Sequence, residues 1–530
     1  MKSRKPTIPE EIEFDVGLDE ADDPISLRAR AAKMLRVPPE MLPHVAVRKR
    51  SIDARRGRVS FHVVLGLGSE EEDRPLAEPA PREVKGEPRV VIVGDGPCGL
   101  FAAYQLARDG IASVVIDRGK TVQPRRHDLK GLQKAGRIDP ESNYCFGEGG
   151  AGTYSDGKLY TRAHKRGPVR DVIEILAAHG APQSILVDAR PHIGSNKLPR
   201  VVTAIREHLE ECGVRFEFGA KLTEILVRTQ GVLRRVYGVR LEDGRELAAD
   251  AVILATGHSA RDVFEMLVAT GVRLEPKPFA LGVRIEHPQP LIDRIQYGDA
   301  YAHPKLPAAS YRLAETVDER GVFSFCMCPG GWIVPASTEV DGLVVNGMSL
   351  SRRDSPFANS GLVVSVEVAD WEHAGFRGPL GGIELQRAIE RAAMQAGSGH
   401  LSAPATRATD FVARRSSSTV PPSSYLPGLT ATNVADVLDV TGIRFSRRIE
   451  GALRAFEKRM RGYLTEESVL VGVESRTSAP VRVPRHPESL ESPDLHGLFP
   501  AGEGAGYAGG IVSAALDGVR VASAIAKNVR

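Results

Sequence analysis

Cysteine is scarce, with five in 530 residues. An odd, thinly spread set builds no disulfide framework and suits a reducing compartment, so a cytoplasmic protein is expected. The close pair Cys326 and Cys328 has no second pair to complete a metal site, and no metal is expected. Long apolar runs are missing too; none approaches the ~20 residues that span a bilayer. Met1-Lys-Ser-Arg-Lys-Pro leads into acids rather than an apolar core, so no signal peptide is expected. Net charge is only +3, too little by itself to argue for a nucleic-acid partner. Hydrophobic content is 42 %, ordinary for a soluble globular chain, and the length suits two or three domains.

Glycine is plentiful, at 53 residues, and its clusters carry the chemistry. Arg89-Val-Val-Ile-Val-Gly-Asp-Gly-Pro-Cys-Gly-Leu100 reads as a buried strand, Val90 to Val93, entering Gly94-x-Gly96-x-x-Gly99. A helix to about Arg108 and a second apolar run, Val114 to Ile116, end on Asp117. Gly94 permits the turn, Gly96 lets a pyrophosphate approach the backbone, and Gly99 lets helix pack on strand. The helix, opened by Pro97, offers unpaired N–H groups to phosphate. Asp117 lies 23 positions after Gly94, where a carboxylate can accept from both ribose hydroxyls. Strand, turn, helix, strand and acid together point to a bound dinucleotide. Arg118 and Arg125, just downstream, are further candidate contacts.

Two more segments bear on which dinucleotide. Leu498 to Ala501 reads as a short strand entering Gly502-Glu503-Gly504-Ala-Gly506-Tyr-Ala-Gly509-Gly510, with a helix pattern from Ile511 to Ala526. Val236 to Leu241 and Glu246 to Leu247 flank the hairpin signal Asp243-Gly244, and Ala251 to Leu254 then leads into Ala255-Thr256-Gly257-His258. The combination resembles the glutathione-reductase type of FAD domain. That resemblance implies non-covalent FAD, with Glu503 at the flavin's ribityl chain and Ala255, Thr256 and Gly257 against the dinucleotide. It also aims the helix behind Gly509, Gly510 and Ile511 at the pyrimidine carbonyl, where its positive end stabilises reduced flavin.

Other stretches resemble one widespread family, usually called FAD-dependent dehydrogenases. They are Phe146-Gly-Glu-Gly-Gly-Ala-Gly-Thr-Tyr-Ser-Asp-Gly-Lys158, Arg190-Pro-His-Ile-Gly194, Gly282-Val-Arg-Ile-Glu-His287, Ser324-Phe-Cys-Met-Cys-Pro-Gly-Gly331, Val345-Asn-Gly-Met-Ser349 and Glu474-Ser-Arg-Thr-Ser478. The similarity spans nearly the whole chain and implies a fold and a flavin, with no agreed substrate.

The expected fold class is α/β: a discontinuous Rossmann-like FAD-binding domain, an inserted α+β substrate domain and a small N-terminal βαββ module. The module covers residues 1–69 and a charged, proline-bearing linker residues 70–88. The FAD domain covers 89–272 and 465–530, and the insertion 273–464. Residues 401–430, rich in Ser, Thr and Pro, read as a loop or lid. Arg48, Lys49, Arg50, Arg55, Arg56 and Arg58 form a basic cluster in the module, read either as the solvent face of a hairpin or as an RNA-docking surface.

Candidate chemistry falls in the insertion and near the flavin. Gly147 to Gly152, with Gly149 and Gly150 at its centre, lacks a preceding strand and reads as a backbone loop beside the flavin ring, with Tyr154, Ser155 and Lys158 nearby. Cys326 and Cys328 are either a redox dithiol or buried structural cysteines; in a regular strand their Cα atoms sit near the upper limit for a disulfide. Arg284, Glu286 and His287 form a polar group at a strand end, suited to general acid chemistry and carboxylate binding or to a structural ion pair. His192 is a weaker acid/base candidate, and Arg476 faces flavin, substrate or a surface partner. No second strand–glycine–helix–acid unit is left for a nicotinamide domain. Electrons are therefore expected from NAD(P)H docking transiently at the flavin, from the substrate, or from a partner protein. The expected activity is hydride transfer between FAD and a small-molecule substrate. Its rivals are a flavoprotein acting on RNA and a thiol-dependent one using Cys326 and Cys328. No membrane partner is expected, and a nucleic-acid partner is the lesser expectation.

Overall fold

The computed structural model describes residues 8–54, 58–68, 80–161 and 167–529. The N-terminal elements follow the expected order of strand, helix, strand, strand: Glu11–Val16, Pro24–Leu35, His44–Asp53 and Ser60–Gly68. Ser60–Gly68 is the central strand. Its alternate residues Phe61, Val63, Leu65 and Leu67 are buried with Leu27 and Ala31 of the helix, the period of two that a sheet covered on one face requires. Within the basic cluster, Arg50 pairs with Asp22 and, at 2.9 Å, with Asp188 outside the module. Arg48 lies 3.5 Å from Glu11. Arg55 and Arg56 lie outside the described residues.

The second body is a parallel sheet in the order Leu498–Pro500, Ala251–Leu254, Val90–Val93, Ser113–Asp117, Arg215–Phe218. Its first four strands are buried along their whole length, as parallel strands covered on both faces must be. Helices Pro97–Arg108 and Ile511–Val529 lie in backbone contact: a Cβ on Gly518 would sit 2.0 Å from the Cys98 carbonyl oxygen. The expected meander is present as Leu222–Gln230, Leu233–Leu241 and Glu246–Ala248.

The third body is a seven-stranded mixed sheet in the order Ala314–Val317, Arg320–Cys328, Phe357–Val366, Phe279–Pro288, Val469–Glu474, Ala403–Arg407, Leu429–Ala431. It corrects one expected boundary. The sequence reading places Val469–Glu474 in the FAD domain, yet it pairs with Phe279–Pro288 and Ala403–Arg407, so this sheet extends to Glu474. All six of its residues are buried, and a strand buried on both faces carries no period to say which sheet it joins. Residues 401–430 also differ from a plain loop, contributing strand Ala403–Arg407, helix Ala408–Val412 and most of Leu429–Ala431.

The chain crosses between the second and third bodies twice, and the crossings pair with each other as Glu275–Pro276 against Val481–Arg482. A buried ion cluster joins the same bodies. Glu390 of helix Gly381–Ala396 accepts from Arg261 at 2.7 and 2.9 Å and from Arg476 at 2.8 and 3.1 Å. Arg476 thus serves this clamp. Among the described residues, no helix is long and apolar enough to cross a membrane.

Candidate functional site

Four segments meet at the carboxyl ends of the parallel strands, where open α/β sheets bind ligands. Glycines set the contacts. A Cβ on Gly94 (φ +103°) would lie 2.5 Å from the Ala255 carbonyl oxygen, one on Gly150 2.9 Å from Gly96 Cα, and one on Gly504 2.4 Å from the Gly257 carbonyl oxygen. Gly502 rests on Cys98, and a Cβ on Gly152 would sit 3.5 Å from Ile511. The turn after Val93, loop 147–152, Ala255–Gly257 and Gly502–Ile511 therefore share one region.

Gly96 behaves differently. Its backbone is extended, and the nearest atom to an added Cβ is 4.0 Å away. The protein's own packing does not require glycine there, whereas a ligand lying on the turn does. Helix Pro97–Arg108 has no side-chain cap, which leaves its first N–H groups for phosphate. Beside it Asp95 is fully buried, and its Oδ1 has no protein partner. Burial, reinforced by Asp117 and Glu148, pushes the Asp95 carboxyl well up. These features fit a dinucleotide.

Three expected contacts are already engaged. Asp117 Oδ2 accepts from Asp95 N at 3.0 Å, and Oδ1 from Gly119 N at 2.8 Å and Gly147 N at 2.9 Å. With about four acceptor sites on a carboxylate, it has room for one ribose hydroxyl rather than two. Arg125 is corrected from cofactor contact to loop support. It is fully buried and donates to the carbonyls of Asn143, Tyr144, Glu148 and Gly150 at 2.8–3.1 Å. Arg118 pairs with Asp262 at 2.7 Å and stacks over Phe146.

A polar cluster from the third body lies near enough to Glu503 for the charge of Cys326 to act on it. The ladder between Arg320–Cys328 and Phe357–Val366 breaks after Phe325, and Cys326 takes φ +44°. That bulge overrides the strand geometry assumed for the pair: both thiols come within reach of each other and of Lys158 Nζ, at 3.8 Å from Cys326 and 3.9 Å from Cys328. Arg284 Nη2 lies 3.9 Å from Cys328 Sγ and donates to the Cys326 carbonyl at 3.0 Å. Its Nη1 meets Glu474 at 2.6 Å.

The neighbouring Cys328, then Lys158 and Arg284, hold the thiol of the exposed Cys326 well below its ordinary value. Cys328 is pushed well up by the neighbouring Cys326 and by burial. Burial alone would lower Lys158; the thiols and Asp156, at 3.4 Å, overcome it. Burial pushes Glu503 up to about 7, opposed by Lys277 and helped by the charge of Cys326. Burial also pushes Glu474 up to about 7, against Arg284.

Of the other candidates, Glu286 is buried and receives Ser424 N at 2.9 Å and the Ser424 hydroxyl. It anchors the 421–425 loop. His287 points to the opposite face of its strand, fully buried against Tyr463, with Nε2 2.8 Å from the Tyr463 carbonyl oxygen. Neither reaches the cleft. His192 contacts the Ser351 carbonyl oxygen at 3.2 Å, and its backbone pairs with Lys158. His258 faces Glu503 at 3.5 Å. Sequence reasoning missed Asp156 and Glu474. Their signal was position alone: Asp156 two residues before Lys158, and Glu474 heading a stretch read for its family likeness.

Burial holds His192, His258 and His287 near 4, with Arg353 adding to it at His192 and Arg476 and Arg261 at His258. Each folded value lies below the unfolded 6.5. The unfolded chain therefore binds the extra protons, and stability present above pH 6.5 is lost as pH falls toward 4. For His287 the interval corresponds to up to ~3 kcal/mol. Urea midpoints measured from pH 7 to 4 should show a shallower acid decline for His287→Asn than for wild type; equal slopes would refute the assignment.

Comparison with known proteins decides the family. Residues 278–477 match the family described as FAD-dependent protein, C-terminal domain-like. Residues 171–278 match pyridine nucleotide-disulphide oxidoreductase, and residues 8–66 match a domain of unknown function. An uncharacterized protein of Clostridium beijerinckii is 40 % identical, over 96 % of this chain and 97 % of that one. The chain belongs to the FAD-dependent oxidoreductases. The cofactor of this flavoprotein is FAD. Among solved structures, CtdE in complex with FAD aligns over 84 % of this chain and 90 % of that one, at 11 % identity and TM-score 0.32. The flavin-dependent brominase Bmp2 aligns over 84 % and 80 %, at 14 % identity and TM-score 0.35.

Proposed function

We propose that this flavoprotein transfers a hydride between FAD and a small-molecule substrate held in the cleft between the parallel sheet and the seven-stranded sheet. The observation that carries the reading is the cluster of Cys326, Cys328 and Lys158, within 3.9 Å of one another through the ammonium and electrostatically coupled to Glu503. FAD supplies the two-electron chemistry. Gly96, the helix N-terminus at Pro97 and Asp117 would hold its pyrophosphate and ribose, and Glu503 its ribityl chain. Lys158 presents positive charge to an electron-rich substrate oxygen, and Arg284 supports it from behind Cys328. Cys326, with its depressed thiol, takes or returns the substrate proton at Sγ. Asp156 keeps Lys158 charged and in place.

A second reading rests on the same bulge. Both thiols are free, Lys158 Nζ lies within 3.9 Å of each, and the Cys328 thiol donates to the Cys326 carbonyl at 3.2 Å; from this proximity they can join as a disulfide. Oxidation of the pair releases two electrons and two protons, balanced by two-electron reduction of FAD.

The test is an anaerobic visible spectrum of the purified holoprotein with NADH and with NADPH, repeated on Cys326→Ser and Cys328→Ser. Under the hydride reading, reduction or turnover falls ~100-fold or more in the Cys326 variant, as for loss of a general acid or base, and much less in the Cys328 variant. Equal loss in both, with FAD retained and two fewer titratable thiols after oxidation, selects the dithiol. Full activity in both removes the cluster from the chemistry.

A further inference from the structure

We infer that the large cavity between the N-terminal module and the third body is a second ligand site, built for a small molecule that carries phosphate. Its volume is about 1510 Å³, beyond the roughly 300–1,000 Å³ of ordinary ligand pockets. It does not lie over the glycine turn. Seven arginines and lysines line it against four aspartates, a surplus of three positive charges.

Ion pairs, two of them to carboxylates outside the lining, engage four of the seven cations. Arg50 is matched by Asp22 and Asp188, Lys305 by Asp22, Arg459 by Glu315 and Arg353 by Asp156. Arg190, Arg312 and Arg461 remain. All three are exposed, and among the described residues none has a carboxylate partner; Arg190 makes one 3.4 Å contact with the Ser310 hydroxyl. Three unmatched guanidinium groups around one concavity focus its field, and their planar forks suit phosphate oxygens. Phe61, Tyr297, Leu306 and Met460 add apolar wall, so the ligand has an organic body as well as charge.

The walls are fixed by ties from the N-terminal module to residues 187–189 and to the third body. Arg50 N donates to the Val187 carbonyl and Ala189 N to the Arg50 carbonyl, both at 2.9 Å. Lys305 meets Asp22 at 3.0 Å. A half-open cavity bridged at two places suits a compact ligand better than a continuous polymer strand. The inner end reaches the redox cleft. Arg353 lines the cavity and binds Asp156 at 2.7 Å, and Asp156 in turn holds Lys158. That adjacency rests on the proposed function; the binding site itself does not.

The test uses the full-length, FAD-loaded protein, whose own dinucleotide site is filled. Inorganic pyrophosphate is titrated calorimetrically into wild type and into Arg312→Ser/Arg461→Ser. These side chains have no described protein partner, so the variant should keep its fold and its FAD content. Saturable binding by wild type, weakened at least tenfold in the variant with an unchanged flavin spectrum, supports the site. NADPH and NADH form further arms. Either one binding more tightly than pyrophosphate identifies the phosphate as that of a nucleotide electron donor; pyrophosphate binding without nucleotide binding identifies a phosphorylated substrate. No saturable pyrophosphate binding, or equal binding by the variant, overturns the inference. So does a single-stranded RNA that binds the holoprotein and is not displaced by pyrophosphate. Failure of hydride transfer would appear instead as a flavin no donor reduces, with these affinities intact.

Discussion

Replacing Glu390 with alanine is expected to cost about 3–5 kcal/mol of stability, the usual result of removing one partner from a buried ion pair. Glu390 is fully buried and accepts five hydrogen bonds: two from Arg261, two from Arg476 and one from the Ser475 hydroxyl at 2.6 Å. Both guanidinium groups outweigh the effect of burial and hold its carboxyl well below the usual range. Arg261 and Arg476 are themselves nearly inaccessible, at 3 % and 8 % exposed. Among the described residues, the alanine variant leaves the two buried cations with one carboxylate, Glu339, 2.6 Å from Arg261 and 4.0 Å from Arg476, beside the neutral partners Gln386 and Thr338. Domains of ordinary stability hold only ~5–15 kcal/mol in all, so the first urea transition should move far toward lower denaturant. Glu390→Gln keeps acceptor geometry at one oxygen and should fall between. A midpoint within experimental error of wild type for Glu390→Ala would show that the bodies are held by other contacts.

The second large effect separates folding from cofactor binding. Gly96→Ala should leave the stability of the FAD-free protein almost unchanged, because its Cβ meets nothing closer than 4.0 Å and its backbone is extended. FAD content of the purified protein should nevertheless collapse, since the methyl occupies the surface on which the pyrophosphate lies. Gly94→Ala should lose both. Its φ of +103° strains any side chain, and its Cβ would sit 2.5 Å from a backbone oxygen. Strain and overpacking together amount to about 2–6 kcal/mol of stability. Absorbance at the flavin band against protein, paired with thermal unfolding of the same proteins after FAD removal, reads both quantities. A yellow Gly96→Ala protein would place the dinucleotide elsewhere.

The cofactor half was readable because its signals are contiguous. Gly94 to Asp117 carries strand, turn, helix, strand and acid within one stretch, and Gly502 to Ile511 another. The reacting half was harder because its parts come from distant places. Lys158, Arg284, Cys326 and Glu474 meet only after the seven-stranded sheet has formed. Strand Phe279–Pro288 is buried on both faces, so its sequence could not tell Arg284, which reaches the thiols, from His287, which faces Tyr463. Arg125 was misjudged because a cation near a phosphate motif looks like a ligand contact, whereas four carbonyls of one loop already surround it. The Cys326 bulge was invisible to strand geometry, which assumed an unbroken ladder.

The paired crossings at Glu275–Pro276 and Val481–Arg482 have a consequence for assembly. Two bodies joined by a single strand can trade partners when one hinge opens, the usual route to exchanged dimers. Here a swap must extend both crossings at once and break their mutual hydrogen bonds along with the Glu390 clamp. Crowded copies of this chain are therefore protected from intertwining, and one nick in either crossing leaves the halves tied by the other.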